Sequence, residues 1–474
     1  MRILLTGVTG YIGQRLLPVL ANEGYHLVCC VRDRKRFEIP KQIAEQVSVI
    51  EVDFLKPETL DNIPHDLQGA YYLIHSMSGN DDFSSLELEC ATNFREAVAK
   101  TNIQQVIYLS GIVNEDDLSK HLASRKAVEE ELGKGGYQLT TLRAGIIIGS
   151  GSASFEIMRD LAEKLPVMIA PKWLKTRCQP IGIRDVIDFL SKSLLNENTY
   201  GQSFDIGGPN VLTYKEMLLG YAKVRGLKRY IFTVPVMTPR LSSYWLYFIT
   251  STSYPLAVAL VDSMKIEVVA KDNRLAEILG IKPLPYLEAL ERTFQKIQKN
   301  EIISSWTDAL SSGLLDNNFS DYINVPTYGC FVDQRTREVS DPQKTLDKIW
   351  QIGGKTGWYY GDWLWKIRGY LDKLVGGVGL RRGRTHRDKL SVGDALDFWR
   401  VLYADKEEGR LMLFAEMLLP GEAWLEFKIE EGKLIQTATF RPKGIWGRLY
   451  WYSVLPFHGF IFNGMIDALA GKRS

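Results

Sequence analysis

The sequence contains no Cys-x-x-Cys pair, and its five cysteines (Cys29, Cys30, Cys90, Cys178 and Cys330) are an odd, scattered set. No cysteine–histidine spacing suits zinc, so neither a metal knuckle nor a disulfide framework is expected. Scattered thiols in a chain this long predict a reducing, cytoplasmic setting. Net charge is also lacking: 58 Lys and Arg against 56 Asp and Glu leave +2. That balance excludes a dedicated nucleic-acid binder. Long apolar runs are missing too. Tyr244–Val261 is interrupted by Thr250, Ser251, Thr252, Ser253 and Pro255, and Leu449–Ile466 by Ser453, Pro456, His458 and Asn463. Neither reaches the roughly 20 uninterrupted apolar residues of a spanning helix, which leaves buried packing or peripheral contact with a membrane. Repeats and low-complexity tracts are absent, and Met1–Gly13 runs directly into a strand and a glycine loop, so no secretory signal is expected there.

What is present is an ordinary globular composition over 474 residues, with 45% hydrophobic and 24% charged side chains. At about 150 residues per domain this predicts roughly three structural units. Short apolar runs at Arg2–Thr6, His26–Val31, Val47–Val52, Ala70–Ile74, Val106–Leu109 and Leu139–Leu142 alternate with helical stretches. This alternation predicts βαβ units and a doubly wound parallel sheet over residues 1–150. Residues 151–299 read as the remainder of that fold with a small substrate lobe. Residues 300–326, rich in Ser, Asp and Asn, read as a linker. From 327 to 474 the composition changes: eight of the eleven tryptophans lie between Trp350 and Trp451, and extended runs precede a long helical segment. Strands followed by a terminal helix predict a separate α+β domain. Glu430–Lys433 is a hairpin-turn candidate.

The chemistry-bearing motif is Thr6-Gly7-Val8-Thr9-Gly10-Tyr11-Ile12-Gly13, a G-x-x-G-x-x-G loop between a strand and a helix. Such a turn presents backbone N–H groups and the positive end of a helix to a pyrophosphate. Gly10 would let the backbone approach the phosphates, and Gly13 would let helix and strand pack closely. Arg32 ends the second strand, where an arginine suits the 2′-phosphate of NADP and an acid suits the free ribose of NAD. NADP(H) is therefore expected over NAD(H). Asp53, after the third strand, is placed to meet the adenine or to cap a turn.

Together these residues resemble the extended and atypical short-chain dehydrogenase/reductase superfamily over about residues 1–295. The loop TGVTGYIG is similar to its cofactor loop, VIYLSGI (106–112) to its fifth strand, and LRAGIIIG (142–149) to its sixth strand and cofactor-facing turn. PIGIRDV (180–186) and SFDIGGP (203–209) resemble later landmarks. The nearest likeness is to the NAD(P)H-binding group that holds the NmrA-like sensors and an accessory subunit of respiratory complex I. By this resemblance Gly7, Thr9, Gly10, Tyr11, Ile12, Gly13, Arg32, Asp53, Phe54, Ser76 and Gly145 would line the cofactor. The superfamily's Tyr-x-x-x-Lys dyad is altered. His121 stands where the tyrosine would be and Arg125 where the lysine would be, one helical turn apart. Ser110 lies near the catalytic hydroxyl position. The resemblance implies an oxidoreductase acting on a small apolar substrate. The altered dyad equally suits a non-catalytic NADPH-binding sensor or assembly factor.

Residues from about 320 to 474 resemble a domain of unknown function fused behind such folds, and more distantly the START/SRPBCC helix-grip superfamily. The stretches that carry this are GWYYGDWLW (357–365), LVGGVGLRRGR (374–384), GDALDFWRV (393–401), AEMLLPGEAWLEF (415–427) and FHGFIFNGM (457–465). A helix-grip fold would make the unit a carrier of a hydrophobic ligand. The aromatic cluster reads three ways: core packing, a lipophilic cavity, or a membrane or partner face. The glycine- and arginine-rich stretch Trp365–Lys389 suits an anion nest or a solvated loop. Glu416, Glu422 and Glu426 read as structural, and His386 and His458 as lone histidines rather than ligands. The sequence leaves the oligomeric state open.

Overall fold

The computed structural model describes residues 1–32, 34, 37, 39, 41–75, 83–113, 120–149, 152–234, 243, 246, 254–298, 330–375, 377–379, 384, 389–442 and 444–471. The chain divides into two compact units, Met1–Trp306 and Thr307–Ser474. The residues read as a linker, 300–326, lie outside the described set.

The first unit is built on seven strands: β1 Arg2–Leu5, β2 His26–Val31, β3 Val47–Glu51, β4 Gly69–Tyr72, β5 Gln105–Gly111, β6 Gln138–Ala144 and β7 Ser203–Ile206. They pair in the order β7-β6-β5-β4-β1-β2-β3, all parallel. The apolar runs are continuous because both faces are covered. In β1, Ile3 and Leu5 face one core while Leu4 faces the other; Leu27 and Cys29 of β2 oppose Val28 and Cys30 in the same way. The first core lies under α1 (Gly13–Asn22), and the second under α2 (Phe83–Val98) and α3 (Lys120–Leu132). No disulfide joins the cysteines. Burial pushes the thiols of Cys29, Cys90 and Cys178 up to about 12, so they pack as small apolar groups.

Between β6 and β7 lie α4 (Ala153–Lys164) and α5 (Ile183–Ser193), followed after β7 by α6 (Tyr214–Val224), α7 (Tyr254–Ser263), α8 (Arg274–Leu279) and α9 (Tyr286–Gln298). With the parallel pair Val167–Pro171 and Tyr230–Val234, the lobe forms a third core around Phe155, Tyr221 and Phe294.

The second unit has an antiparallel sheet of β8 Phe331–Glu338, β9 Ala395–Leu396, β10 Trp399–Asp405, β11 Arg410–Ala415, β12 Gly421–Glu430 and β13 Lys433–Pro442, in the order β8-β13-β12-β11-β10-β9. The hairpin expected at Glu430–Lys433 is present. Its central residues Glu431 and Gly432 take φ of 49° and 73°, the pair of left-handed conformations a two-residue turn of this twist needs. The helices are α10 Pro342–Ile349, α11 Asp362–Leu374 and α12 Gly444–Leu469. One face of the sheet packs on α12, where Trp451 stacks on Phe331 and Phe440. Arg337 also pairs there with Asp467 at 2.6 Å. Glu416 makes a fully buried bidentate pair with Arg400 at 3.0 and 3.1 Å, and Glu426 pairs with Arg410 at 2.7 Å.

The glycine–arginine stretch behaves unlike an anion nest where it is described. Gly379 donates its N–H to the Asp372 carboxylate and Gly377 to the Asp372 carbonyl, both at 2.8 Å. The Arg384 guanidinium donates to the carbonyls of Trp350 and Ile352, each at 2.7 Å. An internal carboxylate and backbone carbonyls take the donors an anion would need. Gly376, Arg381, Arg382, Gly383, His386 and Arg387 lie outside the described residues.

Candidate active site

In an open parallel sheet a ligand sits beyond the carboxyl ends of the strands where the order reverses, here between β1 and β4. The glycine loop lies at that point. Gly7 adopts φ of 65°, and a Cβ there would stand 2.5 Å from the Leu73 carbonyl oxygen, so only glycine fits beside the end of β4. Buried Thr6 fixes the two strand ends by donating to Tyr71 O at 2.9 Å and accepting from Leu73 N at 3.1 Å. At Gly13 a Cβ would meet Gly7 O at 2.4 Å, the close helix–strand approach expected of that position. Gly10 differs: its Cβ would meet only Gly7 O, at 3.1 Å, so the space over it is open. Ile12 is the N-cap of α1 and supplies no side-chain cap; in the first turn the Gln14 and Arg15 N–H groups bond to the Gly10 and Ile12 carbonyls at 3.1 Å each, and the positive end of the helix faces the loop. Thr9 accepts from Gln14 through its carbonyl, and Arg15 stacks over the Tyr11 ring at 3.9 Å. This open glycine position and uncapped helix end fit a dinucleotide pyrophosphate.

Arg32 is exposed immediately after β2. It and Asp53 both act on the Cys90 thiol electrostatically, which brings these two side chains to the same corner. Asp53 also caps its own turn, accepting from Leu55 N at 3.2 Å. The Phe54 ring packs on Phe94 in the core, so only its backbone can face a cofactor. Ser76 lies outside the described residues. At Gly145 a Cβ would stand 2.8 Å from Gln179 O, which makes this glycine a close-packing position. The segment after β6 nevertheless reaches the loop, since a Cβ at Gly149 would press on the Tyr11 hydroxyl.

His121 lies in the first turn of α3, and its side chain is outside the described set. Arg125, one turn on, is half-buried beside the end of β5, where a side chain at Gly111 would touch its guanidinium. Its Nε is buried without a hydrogen-bond partner among the described residues. Ser110 is buried and hydrogen-bonds Tyr108, whose hydroxyl donates to Arg125 O at 3.4 Å. Burial pushes the Tyr108 phenol up to about 12, so it is a neutral donor at physiological pH.

A second polar cluster escaped the sequence reading. His75, just past β4, contacts Glu87 of α2 through Nδ1 at 2.7 Å, and Ser124 of α3 donates to the same carboxylate at 2.5 Å. Burial, and then the nearby charge of Arg125, hold the imidazole below its usual range. A carboxylate-anchored imidazole at a strand end can exchange a proton. The available signal was the histidine directly before Ser76 in AYYLIHS. Its partner Glu87 is distant in sequence and gave none. The described residues include no group of three or more His, Cys, Asp or Glu able to hold a metal.

The chain matches the NmrA-like family over residues 1–238 and a protein family of unknown function (DUF2867) over residues 329–465. It is 23% identical over 218 residues to the mitochondrial NADH-ubiquinone oxidoreductase 40 kDa subunit of Neurospora crassa, covering 44% of this chain and 56% of that protein. It is 24% identical over 252 residues to the chloroplastic divinyl chlorophyllide a 8-vinyl-reductase of Cucumis sativus, covering 49% of this chain and 59% of the relative. The chain thus spans little more than half the length of these relatives. Among solved structures, the triphenylmethane reductase of Citrobacter sp. complexed with NADP(H) superposes with a TM-score of 0.51 at 16% identity. That superposition covers 62% of this chain and 100% of the other. At that identity the likeness speaks for the fold alone, a Rossmann-like parallel α/β fold. With its glycine loop, seven-stranded parallel sheet and a match running to residue 238, the chain belongs to the NmrA-like family of atypical short-chain dehydrogenase/reductase folds, with a DUF2867 domain behind it.

Proposed function

We propose that the first unit is an NADP(H)-dependent oxidoreductase of a small apolar substrate, with His121 and Arg125 in place of the superfamily's tyrosine and lysine. The observation that carries this reading is Arg125. A buried guanidinium nitrogen without a partner is costly unless something arrives to use it. It lies at the end of β5 with Ser110 and Tyr108, and next to the His75–Glu87 pair. The bound nicotinamide would supply the hydride. The glycine loop and the α1 terminus hold the pyrophosphate, Arg32 meets the 2′-phosphate, Arg125 orients the nicotinamide half, and His121 gives the proton. The name of the cucumber relative, a vinyl reductase, supports reduction of an unsaturated substrate.

A second reading, an NADPH-binding subunit without turnover, has the altered dyad and the fungal complex subunit in its favour. The decisive experiment titrates the purified chain with NADPH and NADH, then follows NADPH oxidation against a panel of enones and quinones. Tighter binding of NADPH, lost in Arg32→Ala, and turnover that falls in His121→Ala at unchanged NADPH affinity are expected. Undiminished turnover in His121→Ala would sink that assignment. Firm NADPH binding with no oxidation across the panel would move the conclusion to the second reading.

A further inference from the structure

We propose that the C-terminal unit docks on the surface of an anionic lipid bilayer through the paired outer faces of α11 and α12.

Helix α11 is turned the wrong way round for its charges. In α11, DWLWKIRGYLDKL, the carboxylate of Asp372 and the ammonium-bearing Lys373 are buried. Trp363, Ile367, Tyr370, Leu371 and Leu374 are at least half exposed. Positions 363, 367, 370, 371 and 374 recur at helical spacing, so they form one stripe. Asp372 holds this orientation by accepting from Leu418 N at 2.7 Å and Gly379 N at 2.8 Å. The fold fixes two charges inside and an apolar stripe outside.

The long helix repeats the arrangement. Trp451, Phe462, Met465 and Ile466 face the core, while Trp446, Leu449, Tyr452, Phe457 and Phe460 stand outside, Trp446 with 78% of its surface exposed. The two helices lie side by side. Arg368 of α11 donates to the Tyr450 hydroxyl of α12 at 2.8 Å, and Tyr360, just before α11, packs on Phe460 with ring centroids 5.1 Å apart. The stripes therefore flank one seam. Ten large side chains at half exposure amount to on the order of 1,000 Å² of apolar surface, against roughly 300–600 Å² for the largest patch of an ordinary monomer.

The composition of this face identifies its occupant. Trp363, Tyr370, Trp446 and Tyr452 are amphipathic rings of the kind that sit at headgroup level. The exposed charges on the two helices are Lys366, Arg448 and Asp362. Two cations against one carboxylate, which accepts the Trp358 N–H at 2.8 Å, leave the exposed charge of the two helices positive. Cations beside an aromatic, otherwise apolar helix face match an anionic lipid interface. No helix among the described residues is long and apolar enough to cross a membrane, so the contact lies in the plane of the surface.

The test is sedimentation of the full chain with phosphatidylcholine vesicles, with and without a quarter phosphatidylglycerol, alongside sizing by light scattering. Co-sedimentation with the anionic vesicles is expected, at least tenfold weaker with phosphatidylcholine alone and in 0.5 M salt. A Trp363→Ser/Trp446→Ser double variant should stay in the supernatant with its unfolding midpoint and NADPH affinity unchanged. Lys366→Glu/Arg448→Glu should lose the preference for anionic lipid. A wild-type chain that remains in the supernatant with every vesicle overturns the proposal. So does a dimer that the double tryptophan variant splits, which would give the face to a second copy. NADPH affinity is measured independently, so the functional reading above neither supports nor sinks this one.

Discussion

The two units hold an arginine in opposite ways. In the second unit Arg400 is completely buried and held by partners on all three nitrogens: two bonds to Glu416 and one, at 2.8 Å, to the Gly393 carbonyl. In the first unit Arg125 is half-buried at the open end of the sheet with its Nε unmatched among the described residues. The matched pair is internal to its unit, whereas the Arg125 Nε is the donor on which the proposed cofactor contact rests.

The comparison can be broken most forcefully at the matched pair. Glu416→Ala leaves Arg400 buried without its carboxylate and should lower the stability of the second unit by about 3–5 kcal/mol. Trp451→Ala, which removes the ring stacked on Phe331 and Phe440, should cost a similar amount, about 3–5 kcal/mol. Chemical denaturation followed by tryptophan fluorescence measures both. If Glu416→Ala were neutral, the contrast between the two arginines would fail.

A second test uses two buried titrating groups of the same unit. Burial raises the Asp397 carboxyl to about 6, despite the hydrogen bond it accepts from Trp358. Burial, then Arg368, lowers His458 to about 4. The raised Asp favours the folded state at low pH and loses that contribution as pH rises towards 6. The lowered His costs stability at low pH and regains it as pH rises towards its unfolded value near 6.5. The two slopes oppose each other between pH 4 and 6, so the wild-type profile should be nearly flat. Single variants should expose them: Asp397→Asn gains, and His458→Gln loses, roughly 1–3 kcal/mol as pH rises from 4 to 6. Parallel slopes in the two variants would refute the assignment.

Arg125→Ala should leave the unfolding midpoint in place while weakening NADPH binding about tenfold, about 1.4 kcal/mol. Isothermal titration beside thermal melts separates these. A large loss of stability with intact NADPH binding would make Arg125 structural, like Arg400. The smallest effect belongs to Trp446→Ser, expected within about 0.5 kcal/mol of wild type. This tryptophan lies five residues from Trp451 on the same helix, so the pair contrasts exposed and buried faces directly.

Much of the first unit was legible because its signals are local. Six of the seven strands showed as apolar runs, and the glycine loop announced itself by spacing, since a tight turn against a strand end admits no Cβ. The hairpin at Glu430–Lys433 was legible through its glycine, whose φ of 73° and not any close contact calls for that residue. The seventh strand, Ser203–Ile206, was read only as a family landmark, because a four-residue run carries little periodicity. The His75–Glu87–Ser124 cluster joins three elements far apart in the chain, and no local pattern encodes it.

The parallel α/β sheet, the tight glycine turn and the α+β character of the second unit were encoded locally in the chain. Each follows from residue spacing and backbone sterics within a few positions. Only tertiary structure decided which polar groups meet, and which do not. Gly377, Gly379 and Arg384 kept their donors for Asp372 and backbone carbonyls, and α11 turned Leu371 and Leu374 outward. Those outcomes depend on burial and on distant partners, and hydrogen-bond satisfaction is a property of the packed molecule rather than of any segment of it.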